Sequence, residues 1–210
     1  MRPKLLDLFC GAGGAGMGYH LAGFDVVGVD HIEQPRYPFE FHCADAFEFC
    51  QKYGHMYDVI HASPPCQAYS CCTPVEYRGR HPDLIDPVRE LLESTGKPFI
   101  IENVSGARRL LREPVMLCGT MFGLPLWRHR YFEIWPRLPL SVYSQLKCKH
   151  DGPPVLVTGR VRFDVHRKTG YSVAEKRAAM QIEWMTTKEL DEAIPPAYTQ
   201  WIGTQILAQL

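Results

Sequence analysis

Four stretches of this chain carry residue types that do chemistry, and each ends or follows a short apolar run. In Ser63-Pro64-Pro65-Cys66-Gln67-Ala68-Tyr69-Ser70 a cysteine sits just beyond a strand-like stretch, held by two prolines. Open parallel sheets place their chemistry at that end of a strand. A thiolate there is a nucleophile when positive charge or hydrogen bonds activate it. Glu102-Asn103-Val104 closes the next apolar run, and a carboxylate at the edge of a buried run can have a raised pKa and act as an acid. In Arg128-His129-Arg130, alternation along a strand would point both arginines to one face, where their forks suit a phosphate or a base edge. In LLDLFCGAGGAGMGYHLAGFDVVGVD, which spans Leu5–Asp30, Gly11, Gly13 and Gly14 permit a tight turn and close approach of a ligand. Asp30, about twenty residues on, is placed to hydrogen-bond a ribose. That pattern alone fits any nucleotide-type cofactor, NAD included. Each stretch also has a plain structural counterpart: an inert buried cysteine, a solvated strand-end carboxylate, a surface arginine pair.

These groups need a frame that brings them to one edge. Lys4–Phe9, Asp25–Asp30, Tyr57–Ser63 and Pro98–Val104 read as continuous apolar strands, with helical stretches at Ala15–Ala22 and Asp83–Thr95. The second helix carries Leu84, Val88, Leu91 and Leu92 on one face, and Gly96 is placed to stop it. Buried runs separated by helices predict an α/β fold with a parallel sheet covered on both faces. After Phe132-Glu133-Ile134 the pattern loosens, and residues 136–172 offer only short strand-like pieces, Val155–Val157 and Val161–Val165. This stretch reads as a small insert. Helices are expected again around Val173–Met180 and Pro196–Gln209, the last with Tyr198, Trp201, Ile202, Gln205 and Ile206 near one stripe. Tyr198 and Trp201 read as core packing.

Composition excludes several classes. With 46% hydrophobic and 22% charged residues the chain is neither disordered, collagen-like nor a coiled-coil rod. No window approaches the roughly eighteen uninterrupted apolar residues of a membrane span, and the apolar start is too short for a signal-peptide core. A soluble, cytoplasmic protein is expected. The net charge of zero conceals an asymmetry: −6 over residues 1–103, +9 over 104–177 and −3 over 178–210. A basic central segment is the footprint of a polyanion-binding face. The eight cysteines lack framework spacing, which favours a reducing compartment. Cys71-Cys72 is not a CxxC pair and Cys148-Lys149-His150 stands alone, so no metal is expected.

DLFCGAGGAGMG, VGVD, SPPCQAYS, ENV and RHRYF, taken together and in this order, resemble the DNA (cytosine-5) methyltransferase family over nearly the whole chain, most of 136–172 excepted. The resemblance implies a doubly wound, mostly parallel, Rossmann-like sheet of the S-adenosylmethionine-dependent methyltransferase kind, with a small target-recognition insert. It divides the chain into a catalytic and cofactor-binding part (1–135), a short recognition region (136–172) and C-terminal helices returning to the first part (173–210). It places the cofactor, S-adenosyl-L-methionine, against Phe9, Gly11, Gly13 and Gly14, with Asp30 on its ribose and His31 beside it. Asp45 and Ala46 would lie near the adenine, and Pro65 adjoining. By the same resemblance Cys66 is the nucleophile, Glu102 the acid, and Arg128 and Arg130 support the base. Ser63, Pro64, Gln67, Ser70, Asn103 and Val104 surround the substrate, and Arg160 and Arg162, with Arg167 and Lys168, reach double-stranded DNA. AIPPAYTQWIG resembles the family's closing motif, whose helix packs beside the cofactor site.

The implied reaction is methyl transfer to C5 of cytosine after Cys66 adds to C6. Because C6 is out of reach in a duplex, the base must be flipped out or already unpaired. A monomer is expected, without membrane partners, in a bacterial or phage-infected cell. Three features depart from the family pattern: Leu126 in place of a glutamine, Asp191-Glu192 in place of Gly-Asn, and a short recognition segment. The last predicts a short or relaxed target sequence and resembles compact phage or mobile-element versions. An RNA cytosine-5 methyltransferase on the same scaffold is the main alternative, since an unpaired substrate needs less groove-reading surface. A catalytically silent nucleic-acid-binding relative would have no chemical reason to keep Cys66 and Glu102. A nicotinamide oxidoreductase leaves both unexplained.

Overall fold

The computed structural model of the chain describes residues 1–139, 143, 146–158 and 170–210. Its strands are β1 (Lys4–Leu8), β2 (Asp25–Asp30), β3 (Glu40–Cys43), β4 (Val59–Ala62), β5 (Phe99–Asn103), β6 (Val115–Leu117) and β7 (Arg130–Trp135). They form one sheet in the order β3-β2-β1-β4-β5-β7-β6. The first five are parallel, and β7 runs antiparallel to both β5 and β6. The chain winds outward from β1 to β3 and then crosses back to β4. The β1–β4 border is therefore a topological switch point, where open α/β sheets leave a crevice beyond their carboxyl ends.

The apolar runs form the strands they predict because each is buried on both sides. β4 and β5 are buried at every residue, and β1 at all but its first. β3 and β6 were not foreseen. Both are outer strands, short and only partly covered, and β3 (EFHC) has no apolar run to announce it.

The helices are α1 (Gly14–Ala22), α2 (Ala46–Tyr53), α3 (Val75–Arg78), α4 (Ile85–Ser94), α5 (Val173–Met180), α6 (Thr187–Glu192) and α7 (Pro196–Leu207). Successive strand residues serve opposite faces. Leu5, Val26, Val59 and Ile100 share a core with Tyr19 of α1 and with Tyr198, Ile202 and Ile206 of α7. Leu6, Leu8, Ile60 and Ile101 share the other core with Val88 and Leu92 of α4 and Cys50 of α2. Trp201 packs, half-buried, at the edge of the first core.

Glycine lets α1 and α7 touch backbone to backbone. A Cβ on Gly18 would stand 2.0 Å from Thr199 Oγ1 and 2.1 Å from the Pro196 carbonyl oxygen. The Thr199 hydroxyl donates to the Ala15 carbonyl at 2.8 Å across that contact.

Two expectations need correcting. Val155–Val157 is not a strand; Val155 N–H donates to the Pro125 carbonyl at 2.7 Å and Val157 is buried, so this apolar stretch anchors a loop. Arg128 lies before β7, and only Arg130 is in it, so strand alternation does not align the two arginines. Val161–Val165, Arg160, Arg162, Arg167 and Lys168 lie outside the described residues.

Candidate active site

The chain leaves β4 at Ala62 and turns through the two prolines to Cys66. Asn103, the buried last residue of β5, holds this turn: its Nδ2 donates to the Pro64 carbonyl at 3.0 Å, and its Oδ1 accepts the Val104 N–H at 2.9 Å. Beyond the cysteine the loop curls on itself, with Tyr69 and Ser70 N–H donating to the Cys66 carbonyl at 3.0 and 2.9 Å. Ser70 Oγ accepts the Cys72 N–H at 3.1 Å, and the Tyr69 hydroxyl donates to Asp83. Gly106 has no room for a side chain, because its Cβ would lie 2.0 Å from the Tyr69 carbonyl oxygen. Gln67 is exposed beside the half-buried Cys66.

Because β7 is antiparallel to β5, its first residues lie beside the end of β5. Glu102 pairs with Phe132 and Asn103 with Tyr131, which sets Arg130 at the same edge as Cys66. Arg130 Nε stands 3.0 Å from Glu102 Oε1, an ion pair without hydrogen-bond alignment. Among the described residues that buried oxygen has no hydrogen-bond partner. Burial raises the Glu102 carboxyl above its ordinary range, against the opposing pull of Arg130, Arg128 and the Ser63 hydroxyl. Burial likewise pushes the Cys66 thiol up, with Glu102 and Glu192 adding to the rise and Arg130 opposing it. The pair is therefore a thiol beside a carboxyl, both raised by burial, with one guanidinium that favours ionisation of both.

Sequence reasoning missed the group that supports this pair. His61, buried in β4, has Nδ1 2.9 Å from the Tyr19 hydroxyl and Nε2 2.8 Å from Ser63 Oγ. Burial holds the imidazole neutral, down to about 3, and keeps the Tyr19 phenol protonated. Both ring nitrogens are thus engaged, Nδ1 with the Tyr19 hydroxyl and Nε2 with Ser63, whose hydroxyl also acts on Glu102. The only sequence signal was a histidine within an otherwise apolar run, VIHAS.

Arg128 is also placed differently from expectation. Its Nε donates to the Ala193 carbonyl at 3.1 Å and its Nη2 to the Asp191 carbonyl at 2.7 Å, while the Tyr198 hydroxyl donates to the Arg128 carbonyl at 2.5 Å. Burial beside Arg130 lowers its guanidinium to about 9. Arg128 thus fastens the closing segment to the edge that carries Cys66 and Glu102. Asp191 and Glu192 stand here by virtue of that link, and Glu192 acts on the Cys66 thiol.

At the other end of the edge, Phe9, Gly11 and Gly13 all adopt positive φ (55°, 49° and 85°) in the turn after β1. A Cβ on Gly11 would meet nothing within 4 Å, whereas one on Gly13 would strike Pro38 at 2.8 Å and one on Gly14 the Ile194 carbonyl oxygen at 2.5 Å. Only Gly11 opens toward free space; Gly13 and Gly14 are small so that the chain can pack. Asp30 Oδ2 accepts the Gly11 N–H at 3.0 Å and Oδ1 the Ile32 N–H at 3.1 Å, with the exposed His31 ring 3.1 Å away. Asp45 Oδ1 caps α2, accepting from Phe47 and Glu48 N–H at 2.9 and 3.0 Å, and Ala46 is buried behind it. Trp184 Nε1 donates to the Ala12 carbonyl at 2.7 Å and closes the loop from above. An open glycine turn with carboxylates at the ends of the neighbouring strands suits a nucleoside carrying a ribose and an amino group.

A doubly wound sheet with a cysteine, a buried carboxyl and an arginine at one end of its edge, and a glycine turn at the other, is the architecture of a methyltransferase-type α/β domain. Residues 3–116 match the family model of the C-5 cytosine-specific DNA methylase, and the chain belongs to that family. The Type II methyltransferase M.XorII of Xanthomonas oryzae pv. oryzae (strain KACC10331 / KXO85) is 28% identical, over 69% of this chain and 43% of that protein. The chain therefore spans less than half the length of that curated relative. Among solved structures, the S. pombe Dnmt2 methyltransferase matches with a TM-score of 0.66 at 14% identity, covering 100% of this chain and 99% of that one. The Entamoeba histolytica methyltransferase EhMeth matches at 0.62 and 12%, with the same coverage. At such identities the two structures establish the fold.

Proposed function

We propose that this protein methylates C5 of cytosine in DNA, with Cys66 as the covalent nucleophile. The observation that carries the reading is the meeting of Cys66, Glu102 and Arg130 at one sheet edge, from three separate elements. Phe9, Gly11, Asp30 and Asp45 would hold S-adenosylmethionine, which supplies an electrophilic sulfonium methyl when bound. Cytosine C5 is too poor a nucleophile to use it unaided. The Cys66 sulfur adds to C6 while Glu102 holds a proton at N3, and the ring gains enamine character with electron density at C5. After C5 is alkylated, a base removes its proton, the Cys66–C6 bond breaks and aromaticity returns. Arg130 holds Glu102 in place and favours the thiolate; Arg128 positions the closing segment.

A basic stretch, +9 over residues 104–177, supports a polyanionic substrate. The short segment 136–172 supports a short target sequence, because it offers few side chains to base edges. Among the described residues no helix is long and apolar enough to cross a membrane.

The test is mass spectrometry of nucleosides from DNA and from RNA incubated separately with the protein and S-adenosylmethionine. 5-Methylcytosine in DNA, lost in Cys66→Ala, is the expected result. Product in RNA alone would reassign the substrate and keep the chemistry. No product on either, with cofactor bound, would overturn the reading.

A further inference from the structure

The fold gathers a second cluster of reactive side chains outside the edge described above. Cys118 follows β6, His129 stands between the two arginines just before β7, and Cys148 and His150 come from the stretch after it. Their ligand atoms, one from each residue, all lie within 4.8 Å of one another. His150 Nε2 is 3.1 Å from Cys148 Sγ and 3.5 Å from Cys118 Sγ, and His129 Nε2 is 3.4 Å from Cys148 Sγ. We infer that Cys118, His129, Cys148 and His150 form a structural zinc site that fastens the segment after β7 to the arginine strand.

The distances fit the ion. A tetrahedral zinc with Zn–S near 2.3 Å and Zn–N near 2.0–2.1 Å sets sulfur and nitrogen about 3.5 Å apart along each edge. Two thiolates and two imidazoles form a closed set for zinc and a poor one for calcium or magnesium, which take oxygen. The surroundings supply what such ligands need. The Thr120 hydroxyl lies 3.4 Å from Cys118 Sγ and 4.0 Å from Cys148 Sγ, and its oxygen is fixed by the Lys149 N–H at 3.2 Å. Trp127 stacks on His150, with ring centroids 4.5 Å apart and planes 15° from parallel, which fixes the imidazole and shields one side. Binding would release the two thiol protons to solvent and leave a site of zero net charge.

The segment has use for such a clamp. Described residues 146–158 contain neither helix nor strand, and a site joining 148 and 150 to residues 118 and 129 supplies folding energy beyond what Leu146, Val155 and Val157 contribute by burial. It would also fix His129, and with it the backbone on which Arg128 and Arg130 are mounted. The open position of a catalytic zinc is not needed, and the site stands whether the substrate is DNA or RNA.

The test uses the untagged full chain purified without chelator. Elemental analysis is expected to find zinc equimolar with protein, lost in Cys148→Ser and in His150→Gln and retained in Cys43→Ser. Cobalt added to chelator-treated protein is expected to give the visible bands of a tetrahedral thiolate site, absent from both variants. Wild-type protein that neither carries zinc nor develops those bands would overturn the inference. So would unchanged metal uptake in Cys148→Ser, or recovery of Cys118 and Cys148 as a disulfide. The wild-type measurements decide the matter even if a variant does not fold.

Discussion

The two faces of the sheet are covered in different ways. One is closed by α2 and α4, helices that lie between strands of the parallel part of the sheet, so its buried core, Leu6, Ile60, Val88 and Leu92 among it, comes entirely from residues 6–111. The other is closed by α1 together with α7, whose Tyr198, Ile202 and Ile206 reach back to Leu5, Val26 and Val59. The returning chain also delivers Trp184 to the glycine turn, and Asp191 and Ala193 to Arg128. Core closure and site completion are one event on that face and separate events on the other.

The largest expected effect separates chemistry from both cores. Cys66→Ala should abolish methyl transfer while leaving the melting temperature within a degree or two, since the thiol is only half-buried; activity and calorimetry on the same preparation check this. Next, Gly18→Ala should destabilise by about 3 kcal/mol or more, although it adds only a methyl, because that methyl meets backbone at 2.1 Å. Leu92→Ala on the opposite face should cost a similar amount, about 2–5 kcal/mol. The two should part in cofactor affinity, measured by calorimetric titration at a temperature where both are folded. Gly18→Ala should weaken it at least several-fold and Leu92→Ala should not; equal effects would erase the distinction between the faces.

A smaller effect is expected at the catalytic edge. Arg130→Gln removes the charge that opposes burial at both Cys66 and Glu102, so both groups should titrate higher. The pH dependence of Cys66 alkylation, followed by mass spectrometry, should shift to higher pH with the fold unchanged.

The smallest effect lies beneath α1. Burial raises the Asp7 carboxyl from 3.8 to about 8, so folded protein holds a proton that unfolded protein has lost, and stability falls as pH rises from about 4 to about 8. His61 is depressed from 6.5 to about 3, so stability falls as pH drops through that window. The two slopes oppose each other between about 4 and 6.5; above 6.5 the His61 contribution is complete, and that of Asp7 continues to about 8. Urea melts across that upper range should show a decline in wild type that Asp7→Asn flattens; an unchanged slope would remove Asp7 from the account.

How much of this was legible depends on whether a residue's role is set by its neighbours in sequence. β2 and α5 carry the limits their patterns predict, because an apolar run or a capped helix is a local property. The positions of Cys66 and Glu102 at the carboxyl end of the sheet were legible because one follows such a run and the other stands near the end of one. Arg128 was named, but its partners at 191 and 193 lie over sixty positions away, and no pattern around RHR points to them. The four residues of the proposed zinc site share no short spacing; only Cys148 and His150 are near each other in sequence. Tyr37 was missed for the same reason: its ring fills the place a Cβ on Gly28 would take, 2.3 Å away, and its hydroxyl donates to Asp7 at 3.2 Å.

The late arrival of α7 has a consequence for synthesis. Every described strand is complete by Trp135, but much of the cover of one face of the sheet, beside α1, comes from 179–206. At roughly 5–20 residues per second, a ribosome needs several seconds to add that stretch. For that interval the nascent sheet carries an apolar flank that α1 alone covers only in part, the kind of surface that chaperones hold and that aggregates form on. The yield of this protein in a cell should therefore depend on how quickly its last helix follows its sheet, more than on how stable the finished fold becomes.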